Sequence, residues 1–345
     1  MEQRRPVLVT GAGGLVGRST VNRLVELGVE VIATDLPTPA NEKVAAEWRR
    51  LPGVRVSWCD LTDPAATADL LATAAPGAVV HLAAIIPPLC YSRPELARAV
   101  NVDATAHLVA AAIALPSPPR FVQASSVAVY GGRNPHATDT LLTADLPMAP
   151  TDLYGELKAE AERLVRASTL DWVVLRLGGV LTVEPSTGLD LDVAHFENLL
   201  PRDGRIQTVD VRDVAHAFAA ATEAAVVGET LLIGGDDTHR LHQSDITAGM
   251  TEALGLSGAI PAGRPGDPRD DGTWFATDWM DTGRAQEALA FQHHSWPSML
   301  AEVRQQAGLK RYVMRLAAPV LHEVLRRSNA RRGTDAPFTR PGAAL

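Results

Sequence analysis

The feature that most constrains this chain is an apolar run that ends in glycines spaced three apart. Val7-Leu8-Val9-Thr10 leads directly into Gly11-Ala12-Gly13-Gly14-Leu15-Val16-Gly17, with Gly11, Gly14 and Gly17 setting the spacing. A strand must give way here to a helix within a few residues. Gly11 permits the tight turn, Gly14 lets backbone N–H groups approach an anionic ligand, and Gly17 lets the helix lie close to the strand. The segment Gly13-Gly14-Leu15-Val16 then sits at the positive end of the helix, where phosphates are favoured.

Beyond this turn the chain keeps one rhythm. Candidate strands fall at Pro6–Thr10, Val29–Thr34, Val54–Trp58, Ala78–Leu82, Arg120–Ala124, Trp172–Leu177 and Thr230–Ile233. Helical patterns lie between them at Val16–Leu27, Pro64–Ala75, Ala97–Ala114 and Tyr154–Ser168. Strands alternating with helices of this length imply βαβ units and a parallel sheet, so the fold class is α/β and doubly wound. With 345 residues, 46% of them hydrophobic, a core forms without disulfides or metals. The two cysteines, Cys59 and Cys90, show no metal-ligand spacing, so no metal is expected. A net charge of -8 argues against nucleic acid as a partner. No apolar leader precedes the first strand and no uninterrupted apolar run is long enough to span a bilayer, which points to a cytoplasmic protein.

The strand ends carry the chemistry, because open α/β sheets bind ligands at their carboxyl edge. Asp35 closes the second strand, where a carboxylate bonds the ribose hydroxyls of NAD and repels the extra phosphate of NADP. No basic residue follows at 36–40, so NAD is the expected cofactor. Asp60-Leu61 ends the third strand and offers an acceptor for an adenine amino group. The fourth ends in Leu82-Ala83-Ala84, whose small residues let backbone run close to a cofactor.

Two further segments suit a reacting centre. Tyr154-Gly155-Glu156-Leu157-Lys158 places a tyrosine and a lysine four apart, on one helix face. A nearby cation favours the phenolate, so Tyr154 is expected to exchange a proton with a substrate hydroxyl or carbonyl. The strand from Phe121 enters a loop through Ser125-Ser126, where a hydroxyl can bond the reacting oxygen.

Taken in order, TGAGGLVG, Asp35, DLTD, HLAA, NVDAT, ASSVAVYG and YGELK resemble the extended short-chain dehydrogenase/reductase superfamily, and within it the NAD-dependent epimerase/dehydratase family. The resemblance spans roughly residues 6–256. It implies a Rossmann-type doubly wound parallel sheet with a smaller C-terminal substrate-binding domain. It implies catalytic roles for Ser126, Tyr154 and Lys158, with Tyr154, Lys158 and Ser125 also touching the cofactor. Asn101, opening NVDAT, matches the family's asparagine near the active site; a helix N-cap is its alternative reading. The family's 4,6-dehydratases carry an acid pair directly after the catalytic Ser/Thr. Val127 and Ala128 stand there, so elimination of water is disfavoured. Arg205 lies one residue out of register from the arginine that nucleotide-sugar enzymes place before their "HVDDV" segment, here Val209–Val214.

The expected organisation is a NAD-binding domain over 1–178, with 206–235 returning to it, and a substrate-binding region over 179–205 and 236–307. Residues 179–208 read as irregular. A basic helix and a disordered tail are expected over 308–345. The expected function is reversible hydride transfer at a secondary alcohol by a nucleotide-sugar epimerase. The rivals are an NAD-dependent dehydrogenase or ketoreductase acting on an apolar alcohol and, in another class, a non-catalytic NAD-sensing protein. The partners expected are a small-molecule substrate and a second copy in a homodimer. Membrane contact of the basic C-terminal segment is the lesser reading of that segment.

Overall fold

The computed structural model describes residues 5–184, 191–261 and 263–332. The strands are β1 (Val7–Thr10), β2 (Val31–Asp35), β3 (Val54–Trp58), β4 (Ala78–His81), β5 (Arg120–Ser126), β6 (Trp172–Leu177), β7 (Gly179–Leu181), β8 (Arg205–Asp210), β9 (Thr230–Ile233) and β10 (Arg240–His242). The helices before the site are α1 (Leu15–Glu26), α2 (Pro39–Trp48), α3 (Pro64–Ala74), α4 (Leu89–Ser92), α5 (Pro94–Arg98), α6 (Ala104–Ile113) and α7 (Leu153–Arg166). Those after it are α8 (Leu191–Leu199), α9 (Val211–Ala221), α10 (Gln243–Leu254), α11 (Gly283–Leu289), α12 (Trp296–Ala307) and α13 (Lys310–Arg332).

All seven strands expected from the sequence join one sheet, in the order β3-β2-β1-β4-β5-β6-β9. Every neighbouring pair is parallel. Chain order reverses between β1 and β4, and a ligand cleft opens at such a switch point. The sheet is buried on both faces, which explains why its strands read as apolar throughout. On one face Val9, Val21, Leu24, Val122 and Phe218 pack under α1 and α9. On the other Leu8, Leu71, Leu108 and Phe121 pack under α3 and α6. The helical run Pro94–Ile113 is long and apolar enough to cross a membrane by length and composition. Its buried residues, Ala97, Ala104, Leu108 and Ala112 among them, instead pack into this protein's core.

The described part of the segment expected to be irregular, 179–184 and 191–208, is ordered into regular elements. These residues contain β7, α8 and the start of β8, and β10-β8-β7 form a separate three-stranded sheet. Short strands and a nine-residue helix leave little periodicity to read. The return to the large sheet therefore begins with α9 and β9, while β8 pairs parallel with β7 and antiparallel with β10. Of the aromatics clustered after residue 270, Trp274 and Trp296 are buried and Phe275 and Trp279 half-buried. The His294 ring and backbone N–H bond the buried Asp213 carboxylate, as does the backbone N–H of His293. Pro185, Gly188 and the tail beyond Arg332 lie outside the described residues.

Candidate active site

The glycine turn has the geometry its sequence demands. Gly11 takes a left-handed φ of 63°. A Cβ there would lie 2.7 Å from the Ala83 backbone, so the turn passes hard against the end of β4. A Cβ on Gly17 would collide with the Gly11 carbonyl oxygen. Gly14 caps α1 without a side-chain hydrogen bond, leaving the first-turn amides, those of Leu15 and Val16 among them, without a capping acceptor. Asp35 accepts from the Gly13 N–H at 2.9 Å and from Leu36 N–H at 2.8 Å, so one carboxylate both orders the turn and stands at the end of β2. Asp60 accepts from the Thr62 N–H and hydroxyl and stays exposed at the end of β3, with Leu61 buried beside it.

Behind β4 runs a chain of hydrogen bonds that the sequence did not announce. The Thr105 hydroxyl donates to the Asn101 carbonyl at 2.9 Å, so it accepts from His81 Nε2 at 3.0 Å. His81 Nδ1 then accepts from the Thr10 hydroxyl at 2.7 Å. The Thr10 oxygen in turn accepts from the Leu82 and Ala83 N–H groups. Burial, aided by the Lys158 charge, pushes the His81 imidazole down to about 3, so it stays neutral in this tautomer. The Asn101 side chain accepts from Ile85 N–H at 2.7 Å and donates to Ile85 O at 2.9 Å. Asn101 is therefore no N-cap. It sits in a π-helical turn, Ala99–Asp103, and pins the backbone just past Ala84. These bonds hold the half-buried Leu82-Ala83-Ala84 backbone in place.

Tyr154 and Lys158 come from α7. Asp152 caps this helix, accepting from the Gly155 N–H at 2.8 Å. A Cβ on Gly155 would strike the Ala128 carbonyl oxygen, so the missing side chain lets α7 settle against the turn after β5. That settling brings the half-buried Tyr154 phenol beside the Ser126 hydroxyl. The Lys158 ammonium lies 5.9 Å from the centre of the Tyr154 ring and donates to Ala124 O at 3.0 Å. Burial lowers its pKa to about 8, with Glu162 opposing the shift. The phenol departs from expectation: burial raises its pKa, and the Ser126 hydrogen bond only partly offsets this. In the protein alone Tyr154 is thus a proton donor. Lys158 with bonding capacity left over, the Gly11 and Gly17 approaches and the uncapped α1 amides together fit a dinucleotide.

Ser125 and Ser126 point to different tasks. Ser126 also accepts from Ala128 N–H at 3.2 Å, capping the short 3₁₀ turn Val127–Tyr130. The Ser125 hydroxyl donates to Glu162 at 2.5 Å, so any contact it makes to a cofactor falls to its backbone. Burial works against the Glu162 carboxylate, but the Arg176 hydrogen bonds and charge hold it below the usual carboxylate range. Val127 and Ala128 are buried, with no acid or base beside Ser126 in sequence.

The loop Ala84–Pro94 after β4, whose Ile85-Ile86-Pro87-Pro88-Leu89 run reads as an apolar wall over a substrate or as ordinary packing, lies beside this centre. Ile85, Tyr91 and Tyr154 pack against the buried Cys90 and Leu157. The Tyr91 ring stands 6.1 Å from Phe196 on α8, and Phe196 5.7 Å from Phe275. The Tyr91 hydroxyl is buried without a hydrogen-bond partner, although Asp152 lies beside it. Tyr91 lies inside the loop Ala84–Pro94, but Phe196 on α8 carries no sequence signal of its own. Arg205 is committed elsewhere: it donates to Thr138 O and Pro135 O and stacks on Trp279 at 4.7 Å. A cavity of 730 Å³ under the β9 edge is not a rival centre, because its arginines 166, 176 and 284 already pair with Glu162 and Glu229.

Comparison with known proteins agrees with this geometry. Residues 7–234 match the family described as the NAD dependent epimerase/dehydratase family. The chain is 33% identical to a D-erythronate dehydrogenase of Cupriavidus necator over 50% of its own length and 54% of the relative's, so it spans about half of that relative. It is 30% identical to a dTDP-6-deoxy-L-talose 4-dehydrogenase (NAD(P)(+)) of Kitasatospora kifunensis over 83% of this chain and 90% of the relative. In fold it is similar to a UDP-glucuronic acid 4-epimerase of Bacillus cereus solved with NAD and UDP-4-deoxy-4-fluoro-glucuronic acid. The TM-score is 0.71 at 19% identity, over 88% of this chain and 99% of that one.

Proposed function

Since the chain belongs to the NAD-dependent epimerase/dehydratase family, we propose that it moves hydride reversibly at a secondary alcohol of a nucleotide sugar, as an epimerase. The observation that carries this reading is the Ser126–Tyr154 pair, with Lys158 alongside, at the carboxyl end of β5. The Gly11–Gly17 turn would hold the pyrophosphate of NAD, Asp35 its adenosine ribose and Lys158 its nicotinamide ribose. When bound, NAD supplies the hydride acceptor and donor and the positive charge of its nicotinamide ring.

The chain's own residues do the rest. Ser126 holds the substrate oxygen within reach of the Tyr154 phenol. The positive charges of Lys158 and of bound NAD would favour the Tyr154 phenolate, which would take the hydroxyl proton as the carbinol is oxidised; the resulting phenol would return it when the ketone is reduced. The Leu82-Ala83-Ala84 backbone, held through Thr10 and His81, would form a wall beside the cofactor. Val127 and Ala128 supply neither acid nor base, so the substrate keeps its remaining hydroxyls.

A second reading is favoured by the shelf of Tyr91, Phe196 and Phe275 and by the engaged Arg205: an NAD-dependent dehydrogenase acting on an alcohol with an apolar body. Both relatives described above are named as dehydrogenases. The experiment is mass analysis of the purified protein followed by single-turnover assay. Retained NAD with interconversion of UDP- or dTDP-hexoses, and no net NADH, is the result expected of the epimerase. Stoichiometric release of NADH with a ketone product would assign the dehydrogenase instead.

A further inference from the structure

The final helix presents two faces of opposite character. On one, Ala318 and Leu325 are buried against the body, His322 bonds Gly258 O and Asn329 bonds His195 of α8. On the other, Leu309, Val313, Leu316, Val320 and Val324 follow one another three or four residues apart, so they form one stripe. Their exposures are 82, 69, 81, 68 and 49%, and nothing among the described residues covers them. A stripe this open on a soluble surface marks an interaction site.

Charge decides between occupants. From Lys310 to Arg332 the sequence carries seven basic residues, Lys310, Arg315 and Arg327 among them, against the single acid Glu323, in a chain whose net charge is -8. Glu323 is taken up by Arg326 and Arg327, and the other basic groups have no acid on their own helix. A second copy laid stripe to stripe would bring two such basic faces together, which repel. An anionic lipid surface satisfies both halves: the stripe enters the acyl boundary and the flanking Lys and Arg meet headgroups.

We propose that α13 docks this protein on anionic lipid membranes, lying in the interface plane with the Leu309–Val324 stripe inward. The docked body is then held with α8, the wall of the aromatic shelf, next to the bilayer side of the protein.

The test uses the full chain loaded with NAD. It is mixed with phosphatidylcholine vesicles, with and without phosphatidylglycerol, and sedimented. Binding is expected to the anionic vesicles, to weaken as salt rises, and to be at least about tenfold poorer on phosphatidylcholine alone. Leu316→Glu combined with Val320→Glu should abolish it with NAD affinity unchanged, since both side chains are exposed. Lys310→Gln, next to the stripe, should weaken it about fivefold, as loss of one headgroup contact does. Equal binding to both vesicle types, or to neither, overturns the proposal. So does a dimer in light scattering that the double variant splits, which would assign the stripe to a second copy.

Discussion

On the β1–β4 side of Tyr154 the contacts are hydrogen bonds linked end to end: Thr10 to His81, His81 to Thr105, Thr105 to Asn101, and Asn101 to Ile85. On the α8 side the contacts are between rings, Tyr91 to Phe196 to Phe275, and the one hydroxyl among them lacks a partner. The first side has one satisfied arrangement and is suited to an invariant cofactor. The second is apolar, with one donor held in reserve, and is suited to being changed for a new substrate. Buried polar chains are stiff because each lost bond leaves another group unpaired, whereas ring contacts tolerate shape changes at lower cost.

The largest effect should come from the group both sides share. Tyr154→Phe removes the proton carrier while keeping the ring, and should lower kcat by about 10²–10⁴-fold. NAD affinity and Tm should hardly move, because the ring and its packing against Cys90 and Leu157 are kept. Unchanged single-turnover rates would mean that the two sides do not meet at this phenol.

The hydrogen-bonded side should also carry a pH signature. His81 titrates near 3 in the folded protein and near 6.5 unfolded. Below 6.5 the unfolded chain takes up a proton that the folded one refuses. Stability is therefore intact above 6.5 and is lost as pH falls from about 6.5 toward 3, by about 1.4 kcal/mol for each pH unit from this group. Urea titrations at several pH values would show this slope, and His81→Gln should flatten it. An acid limb identical in the variant would place the titrating group elsewhere. Somewhat smaller is Gly17→Ala, whose Cβ meets the Gly11 carbonyl oxygen and lies 2.7 Å from Ala12 Cα. Such overpacking costs about 1–3 kcal/mol and should weaken NAD binding with it.

The same contrast explains what the sequence alone makes legible. The cofactor side is written in local rules: a glycine where φ must be positive or two backbones touch, an acid at a strand end, a tyrosine and lysine one helical turn apart. All seven strands of the large sheet carry apolar runs that announce themselves. The substrate side rests on tertiary contacts among residues far apart, Tyr91, Phe196 and Phe275, with no shared spacing. Strands as short as β7 and β10 give too few residues for a period. Asn101 falls between the two cases. Its position was legible, but a π-helical turn has no sequence signature, so its grip on Ile85 could not be foreseen.

Tyr91 gives the smallest and sharpest test, because its sign differs between the ligand-free protein and the working enzyme. A buried hydroxyl without a partner is a cost of about 1–3 kcal/mol to the folded state. Tyr91→Phe deletes that cost and keeps the ring against Phe196, so the ligand-free protein should gain up to about 1 kcal/mol. If the hydroxyl is held for substrate, the same change should raise KM about fivefold, the worth of one hydrogen bond, with kcat and NAD affinity unchanged. A variant that is stabilised but shows an unaltered KM would make the aromatic side a packing surface alone. A destabilised variant would mean that Asp152 already satisfies the hydroxyl, and the contrast between the two sides of Tyr154 would then disappear.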